Sequence, residues 1–341
     1  MKTWQKVTFI LVLIAFVSLS ITISLISISR PTYKFAPETD ETGNVSDGWM
    51  FYAFNGNVNT KTLYIDFVRD KNGGSPDRTK PVVSVRKYAV NADEYVEELV
   101  IGASVERIDE TAFFNVKKLQ RVTVDPENQW FKSVDGVLYS KDGKRLILYP
   151  ICRGQQPTEN PEEFTYPEAY AVPEGVERIE TFAFLKNGHL RDVTLPSTLR
   201  EIGDMAFFDC GWMGAVDYDK ETDTLVGAGF QLPDGLEKIG SDAFSKCGSI
   251  APGLYIPASV KEIGHHAFFS CGNMKQVLVG APDADAMTVG EAWLPKNVKA
   301  GPAWRSAKAQ YGATRADSDK MIADWRAEKL EKGREEAKND A

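Results

Sequence analysis

One phrase of apolar and polar positions recurs along the chain: an aliphatic residue, two mostly polar residues, Ile or Val, three mostly polar residues, Ala, then Phe or Val. It occurs at Val82/Val85/Ala89/Val90, Val105/Ile108/Ala112/Phe113, Val176/Ile179/Ala183/Phe184, Leu199/Ile202/Ala206/Phe207, Leu236/Ile239/Ala243/Phe244 and Val260/Ile263/Ala267/Phe268. Successive alanines are 23, 71, 23, 37 and 24 residues apart. A gap of 71 is close to three periods and predicts two degenerate turns inside it; a gap of 37 is one period plus an insertion. A second apolar set follows the phrase at 6, 9 and 11 positions after the phenylalanine slot, as in Leu119, Val122, Val124 and Met274, Val277, Val279, and is displaced by one residue in Ile250, Leu254, Ile256. Its period-2 end predicts a short strand, closed by proline in Leu195-Pro196 and Ile256-Pro257.

A strand of three or four residues cannot bury its face alone. The units must therefore stack into a solenoid with one continuous core, the phenylalanine filling each coil and the alanine allowing a tight bend beside it. About nine coils fit between residues 82 and 300, a rod on the order of 45 Å at the ~4.8 Å spacing of stacked strands. Both ends of such a rod need covering. Residues 49–67 alternate around Asn55-Gly56 and predict a hairpin cap. Pro302 to Tyr311 carries helix-starting chemistry that would lay Trp304 on the last coil, and 317–341 is a second helix candidate with Met321, Ile322 and Trp325 on one side.

Val176-Glu-Arg-Ile-Glu-Thr-Phe-Ala-Phe, Leu199-Arg-Glu-Ile-Gly-Asp-Met-Ala-Phe and Val260-Lys-Glu-Ile-Gly-His-His-Ala-Phe resemble the bacterial surface-antigen (BspA-type) leucine-rich repeats. The segment from Phe131 to Leu146, with Asp142-Gly143 as a hairpin turn, is similar to the hairpin-bearing unit of that family. The likeness covers roughly residues 80–300 and departs from the pattern at the 212–230 insertion and around Val289 to Trp293. It implies a repeat solenoid coiled right-handedly with short parallel strands, and extracytoplasmic binding or adhesion. It carries over no catalytic residues.

Between Lys6 and Arg30 lie 23 residues without a charge, Val7 to Ser29. As a helix they span roughly 35 Å, enough to cross a hydrocarbon core of about 30 Å. No A-x-A cleavage site follows, so the segment reads as an uncleaved anchor, with cleavage and secretion as the alternative. A lone N-terminal span in front of a large domain acts as an export signal, which places the remainder outside the cytoplasm. The domain reading is then a cytoplasmic stub and anchor at 1–34, an acidic linker at 35–48, an N-terminal cap at 49–81, the solenoid at 82–301 and a helical cap or tail at 302–341.

Charge changes the picture in one way. With 40 basic and 48 acidic residues the chain lacks the positive footprint of phosphate-backbone binding, which excludes nucleic acid. Inside each V-x-x-I phrase two charged columns alternate in sign: Glu177, Arg200, Glu237, Lys261, and Arg178, Glu201, Lys238, Glu262. Equivalent positions of stacked coils face one another, so both columns predict ion pairs between coils. Cys210, Cys247 and Cys271 all stand three residues after the slot, where a ladder of small buried residues explains them better than a disulfide or reactive thiol. Asp217, Asp219, Glu221 and Asp223 alternate like a calcium loop but lack the glycine and the closing glutamate, so a solvated loop is expected and no metal.

His189, His265 and His266 fall in no metal or catalytic spacing, no G-x-S-x-G or phosphate-binding glycine motif is present, and no cofactor is implied. The expected function is therefore a non-catalytic binding module for an extracytoplasmic protein or glycan, with a structural envelope component as the alternative. Trp212 and Tyr218, on the insertion that interrupts the repeat, are the candidate ligand-binding residues, because aromatics supply contact area at low entropy cost.

Overall fold

The structure, a computed structural model, describes residues 31–39, 45–57, 60–157, 164–165, 169–251, 253–274, 276–294 and 308–339. The apolar segment Val7 to Ser29 lies outside them. Among the described residues no helix is long and apolar enough to cross a membrane.

The repeated phrase folds as a solenoid with two parallel ladders instead of one. In the first, two-residue strands end on the Ile position and stack in register, Ile179, Ile202, Ile239, Ile263 and Val289, with Leu146 of the longer strand Arg145–Leu148 continuing the row. The second is built by the period-2 segments, as in Leu254–Ile256 beside Gln276–Val279. Between ladders the chain turns through a left-handed residue just before the alanine, at φ 63° for Phe182, 51° for Met205 and 55° for His266. In the repeats from 176 to 268 the alanine and the phenylalanine of each coil have no exposed surface. Their rings form a near-parallel stack, with centroids 4.7 Å apart for Phe184–Phe207, 5.3 Å for Phe207–Phe244 and 5.2 Å for Phe244–Phe268. Burial of a phenylalanine contributes about 3 kcal/mol at the upper end of the usual range, so this column is a principal source of cohesion between coils.

One hydrogen bond identifies the slot in these coils: its N–H donates to the carbonyl of the next coil's alanine, as Phe207 does to Ala243 at 2.8 Å. By this bond Phe54 and Tyr149 are slot residues too, donating to Ala89 and Ala183. Among the described residues the 71-residue gap thus holds one slot where the period predicted about two. The remaining length goes into an antiparallel meander, Phe131–Val134, Val137–Ser140 and Arg145–Leu148, whose second turn contains Asp142-Gly143 as expected. Tyr149 stacks on Phe184 at 4.9 Å and continues the ring column. In the last coil the bulk is exchanged: Phe268 donates to Trp293, so tryptophan occupies the alanine position and Leu294 the phenylalanine position.

Three expectations at the ends need correction. Residues 49–67 do not form a hairpin about Asn55-Gly56. Trp49 to Phe51 run parallel to Val82–Val85, and Thr62–Ile65 runs parallel to Glu98–Ile101, so this stretch is a coil of its own. Parallel pairing sinks Phe51, Leu63 and Ile65 completely. The cap is instead a hairpin of Thr32–Thr39 against Val45–Asn55, which takes in most of the expected 35–48 linker. The acidic composition there is compatible with a strand because its partners are supplied from afar: Phe35 packs on Phe51, and Glu38 accepts hydrogen bonds from Ser84 at 2.6 Å and Arg107 at 2.8 Å. Lastly, Lys308–Tyr311 is a strand parallel to Gln276–Val279, not a helix start. A helix, α1 (Arg315–Asn339), follows it, begun by a box in which Thr314 and Asp317 exchange hydrogen bonds. Trp304 lies outside the described residues.

Candidate binding cleft

The insertion between the coils of Phe207 and Phe244 leaves the core after Met213 and Val216, both buried, and forms a two-stranded hairpin, Asp217–Asp219 against Thr224–Val226. Helix α1 lies against this hairpin. Between helix and solenoid is a cleft of 560 Å³, lined by Asp217 and Tyr218 from the hairpin, Asn273 from a coil turn, and Trp325, Lys329 and Lys332 from the helix. Two aromatic rings, an amide and charges of both signs converge there, and the volume falls within the roughly 300–1,000 Å³ of small-ligand sites.

Close approach at the cleft is set by one residue. A Cβ on Gly333 would stand 2.3 Å from Cγ of Tyr218, so the ring seats directly on the helix backbone. The Tyr218 hydroxyl donates to Asp223 at 3.1 Å, and Arg334 meets the same carboxylate with two bonds of 2.7 and 2.8 Å. The guanidinium holds Asp223 below the usual carboxylate range, while burial and the neighbouring carboxylate push the Tyr218 phenol up. The alternate acids of the insertion are thereby distributed: Asp219 accepts from Glu221 N–H and Thr222, Asp223 pairs with Arg334, and Asp217 faces Arg191 and Lys329.

The two residues singled out from the sequence part company here. Tyr218 is half-buried in the cleft wall; Trp212 is 54% exposed and does not line the cleft, its ring carrying the Arg191 guanidinium at 5.4 Å. Sequence reasoning missed Trp325 and Asn273 as cleft residues. The apolar stripe Met321, Ile322, Trp325 was visible, but nothing local tells which surface a helix will meet.

The other polar candidates resolve into structure. In the second charge column Arg178 bonds Glu201 at 2.7 Å and Lys238 bonds Glu262 at 3.0 Å. The first column does not zip in the same way. Arg200 donates to the carbonyls of Ser197, Leu199 and Gly235. Position contributes: the second column lies on the strand and is held in register, whereas the first precedes it, although Glu177 still reaches Lys144 of the neighbouring coil at 2.8 Å. Cys210, Cys247 and Cys271 are free and buried, each thiol donating to the carbonyl of the preceding coil's phenylalanine at 3.0–3.1 Å. Burial pushes Cys210 and Cys271 up to about 12, and Cys247 higher than its ordinary value as well. Cys152, also buried, stands three residues after the Tyr149 slot, but its thiol donates to the Lys117 carbonyl at 3.6 Å and so does not repeat the bond of the other three.

Residues 83–134 and 165–275 match the family model for the BspA type leucine rich repeat region, in six copies. No curated protein matches the chain. Among solved structures, a leucine rich cell surface protein from Faecalibacterium prausnitzii A2-165 is 22% identical over 72% of this chain and 55% of its own, with a TM-score of 0.47. A leucine-rich repeat protein from Eubacterium ventriosum is 18% identical over 70% of this chain and 64% of its own, TM-score 0.46. The pneumococcal vaccine antigen PcpA is 16% identical over 86% of this chain and 95% of its own, TM-score 0.43. The chain therefore spans less than two thirds of the first two of these proteins.

Proposed function

We propose, for a chain whose repeat region belongs to the BspA-type leucine-rich repeat family, that it is an extracytoplasmic binding or adhesion module, anchored in the membrane through Val7 to Ser29, which holds a protein or glycan ligand without chemical turnover. The observation that supports this most is the cleft: Tyr218 and Trp325 offer ring faces, Asn273 an amide and Asp217 a carboxylate, in a concavity of ligand size outside the repeat's own core. Cleft recognition needs no group with perturbed reactivity, and the buried thiols are held protonated, away from nucleophilic use.

The test is a binding screen of the full chain against envelope and host glycans and purified surface proteins, run beside Trp325→Ala and Trp212→Ala. Loss of at least tenfold in affinity for Trp325→Ala alone assigns the ligand to the cleft. Loss for Trp212→Ala alone moves the site to the exposed edge of the coil. Absence of any specific ligand favours the structural reading, in which the rod spaces other envelope components. Protease added to intact cells whose envelope admits it should degrade the 50–341 portion; its protection there would overturn the placement outside the cytoplasm.

A further inference from the structure

The two halves of α1 are attached to the solenoid by different physics. At its start Arg315 donates to the Gln231 side chain and the Leu232 carbonyl, pairs with Asp234, and lies 4.9 Å over the Tyr255 ring. One turn later Ser318, with no exposed surface, donates to the Gly253 carbonyl at 2.7 Å, and Met321 packs on the cluster of Tyr255, Leu278 and Ala313. The Arg315–Asp234 pair is itself solvent-exposed, but the buried Ser318 bond and the Met321 contact are desolvated and respond little to salt.

The distal half has no such anchor. Its contacts are Arg326 to the Gly227 carbonyl at 2.9 Å, Lys329 to Asp217 at 3.6 Å, and Arg334 to Asp223, together with the seat of Gly333 on Tyr218. Both ion pairs are solvent-exposed, and Gly333 is the one buried residue of the helix beyond Ser318. The surface it covers is a two-stranded hairpin paired with no other strand among the described residues, a unit of marginal stability by itself. Yet the docked state is specified. Glycine inside a helix costs roughly 1 kcal/mol relative to alanine, and the structure gives a reason for bearing that cost only when Tyr218 is seated.

We propose that the distal half of α1, from about Trp325 onward, is a strap held over the 217–226 hairpin by screened ion pairs, hinged on the anchored first turns, and that its release opens the cleft and frees Tyr218 and Trp325. The hinge and the strap are properties of the chain without ligand, so the inference stands or falls separately from the identity of what binds.

The experiment is amide hydrogen exchange on the full chain in detergent, with salt raised from about 0.05 M to about 1 M, over which the Debye length falls from roughly 14 Å to about 3 Å. Amides of 326–338 and 217–226 should lose protection together, about five- to tenfold, while those of 319–322 and 254–256 hold theirs. Gly333→Ala should open the same two segments at low salt, although it strengthens the isolated helix, because its methyl cannot sit on the ring. Arg334→Asp should do likewise, and adding Asp223→Arg should restore protection. Exchange of the whole helix as one block with 254–256, salt-independent protection, or a Gly333→Ala protein in which 217–226 is unchanged would each overturn the strap. Protection at 254–256 reports folding of each variant, so a variant that loses it as well counts against a local hinge.

Discussion

Two glycines of the same coil should respond to alanine with opposite signs. Gly240 follows the Ile position of its coil, and a Cβ there would stand 2.5 Å from the backbone N of Asp204 and the carbonyl carbon of Gly203 in the coil beneath. Both are backbone atoms held in the ladder, so neither yields as a flexible side chain does. Reaching ordinary contact requires the coils to separate by about 1 Å, out of a strand spacing of about 4.8 Å. Hydrogen bonds of 2.8 Å from Gly240 to Ile202, Glu237 to Arg200 and Phe207 to Ala243 bridge the coils at this point. Weakening two or three of these at about 1 kcal/mol each, and loosening the Phe207–Phe244 stack between them, gives a loss of about 3–4 kcal/mol for Gly240→Ala. Gly248, eight residues on, has nothing within 4 Å of where a Cβ would stand and no left-handed φ. There the reduced entropy of the unfolded chain dominates, and Gly248→Ala should stabilise by about 0.4–1 kcal/mol. Urea unfolding of both variants, with amide exchange over 236–244 to localise the effect, measures the difference. Equal stabilities within about 1 kcal/mol would refute the claim that coil spacing, not chain flexibility, selects glycine at 240.

Three further outcomes follow from named contacts. Glu201→Lys should destabilise by about 1 kcal/mol or more in a chemical melt, because it breaks the bond to Arg178 and stands beside Lys238, whereas Arg200→Glu should stay within about 0.5 kcal/mol; equal losses would mean that register does not decide the pairing. The thiols of Cys210 and Cys271 titrate at about 12 in the fold and near 9 when unfolded, so the folded state binds more protons above pH 9; stability should be complete below that value and fall as pH rises toward 12, a slope to which Cys247 and the buried tyrosines also contribute and which serine at both positions makes shallower in a urea-midpoint series. Trp212→Ala should change the melting midpoint by less than the equivalent of about 0.5 kcal/mol, since the ring is mostly solvated; a larger drop would make its contact with Arg191 structural.

The sequence by itself determined whatever repeats. Burial in a stacked coil imposes the same demand at every period, so the V-x-x-I phrase, the alanine bend, the phenylalanine column and the cysteine position were all readable from spacing, and Ile179, Ile202, Ile239 and Ile263 do stand in register. The glycines after them, Gly203, Gly240 and Gly264, were in plain view, but their reason is the distance to the neighbouring coil's backbone, which no local pattern encodes. What only the tertiary structure decided lies where the repeat is broken. The stretch at 49–67 alternates equally well as a hairpin or as a coil, and the choice rested on Phe51 and Leu63 reaching the core by parallel pairing. Glu38 belongs to a strand because Ser84 and Arg107 receive it, partners 46 and 69 residues away. Tyr218 became a cleft residue and Trp212 did not because α1 lies on one side of the insertion, through Gly333 and Arg334, more than 100 residues further along the chain. Periodic burial is a local constraint repeated many times, whereas an end, an insertion or a docked helix is specified once, by contacts between distant segments that exist only after folding.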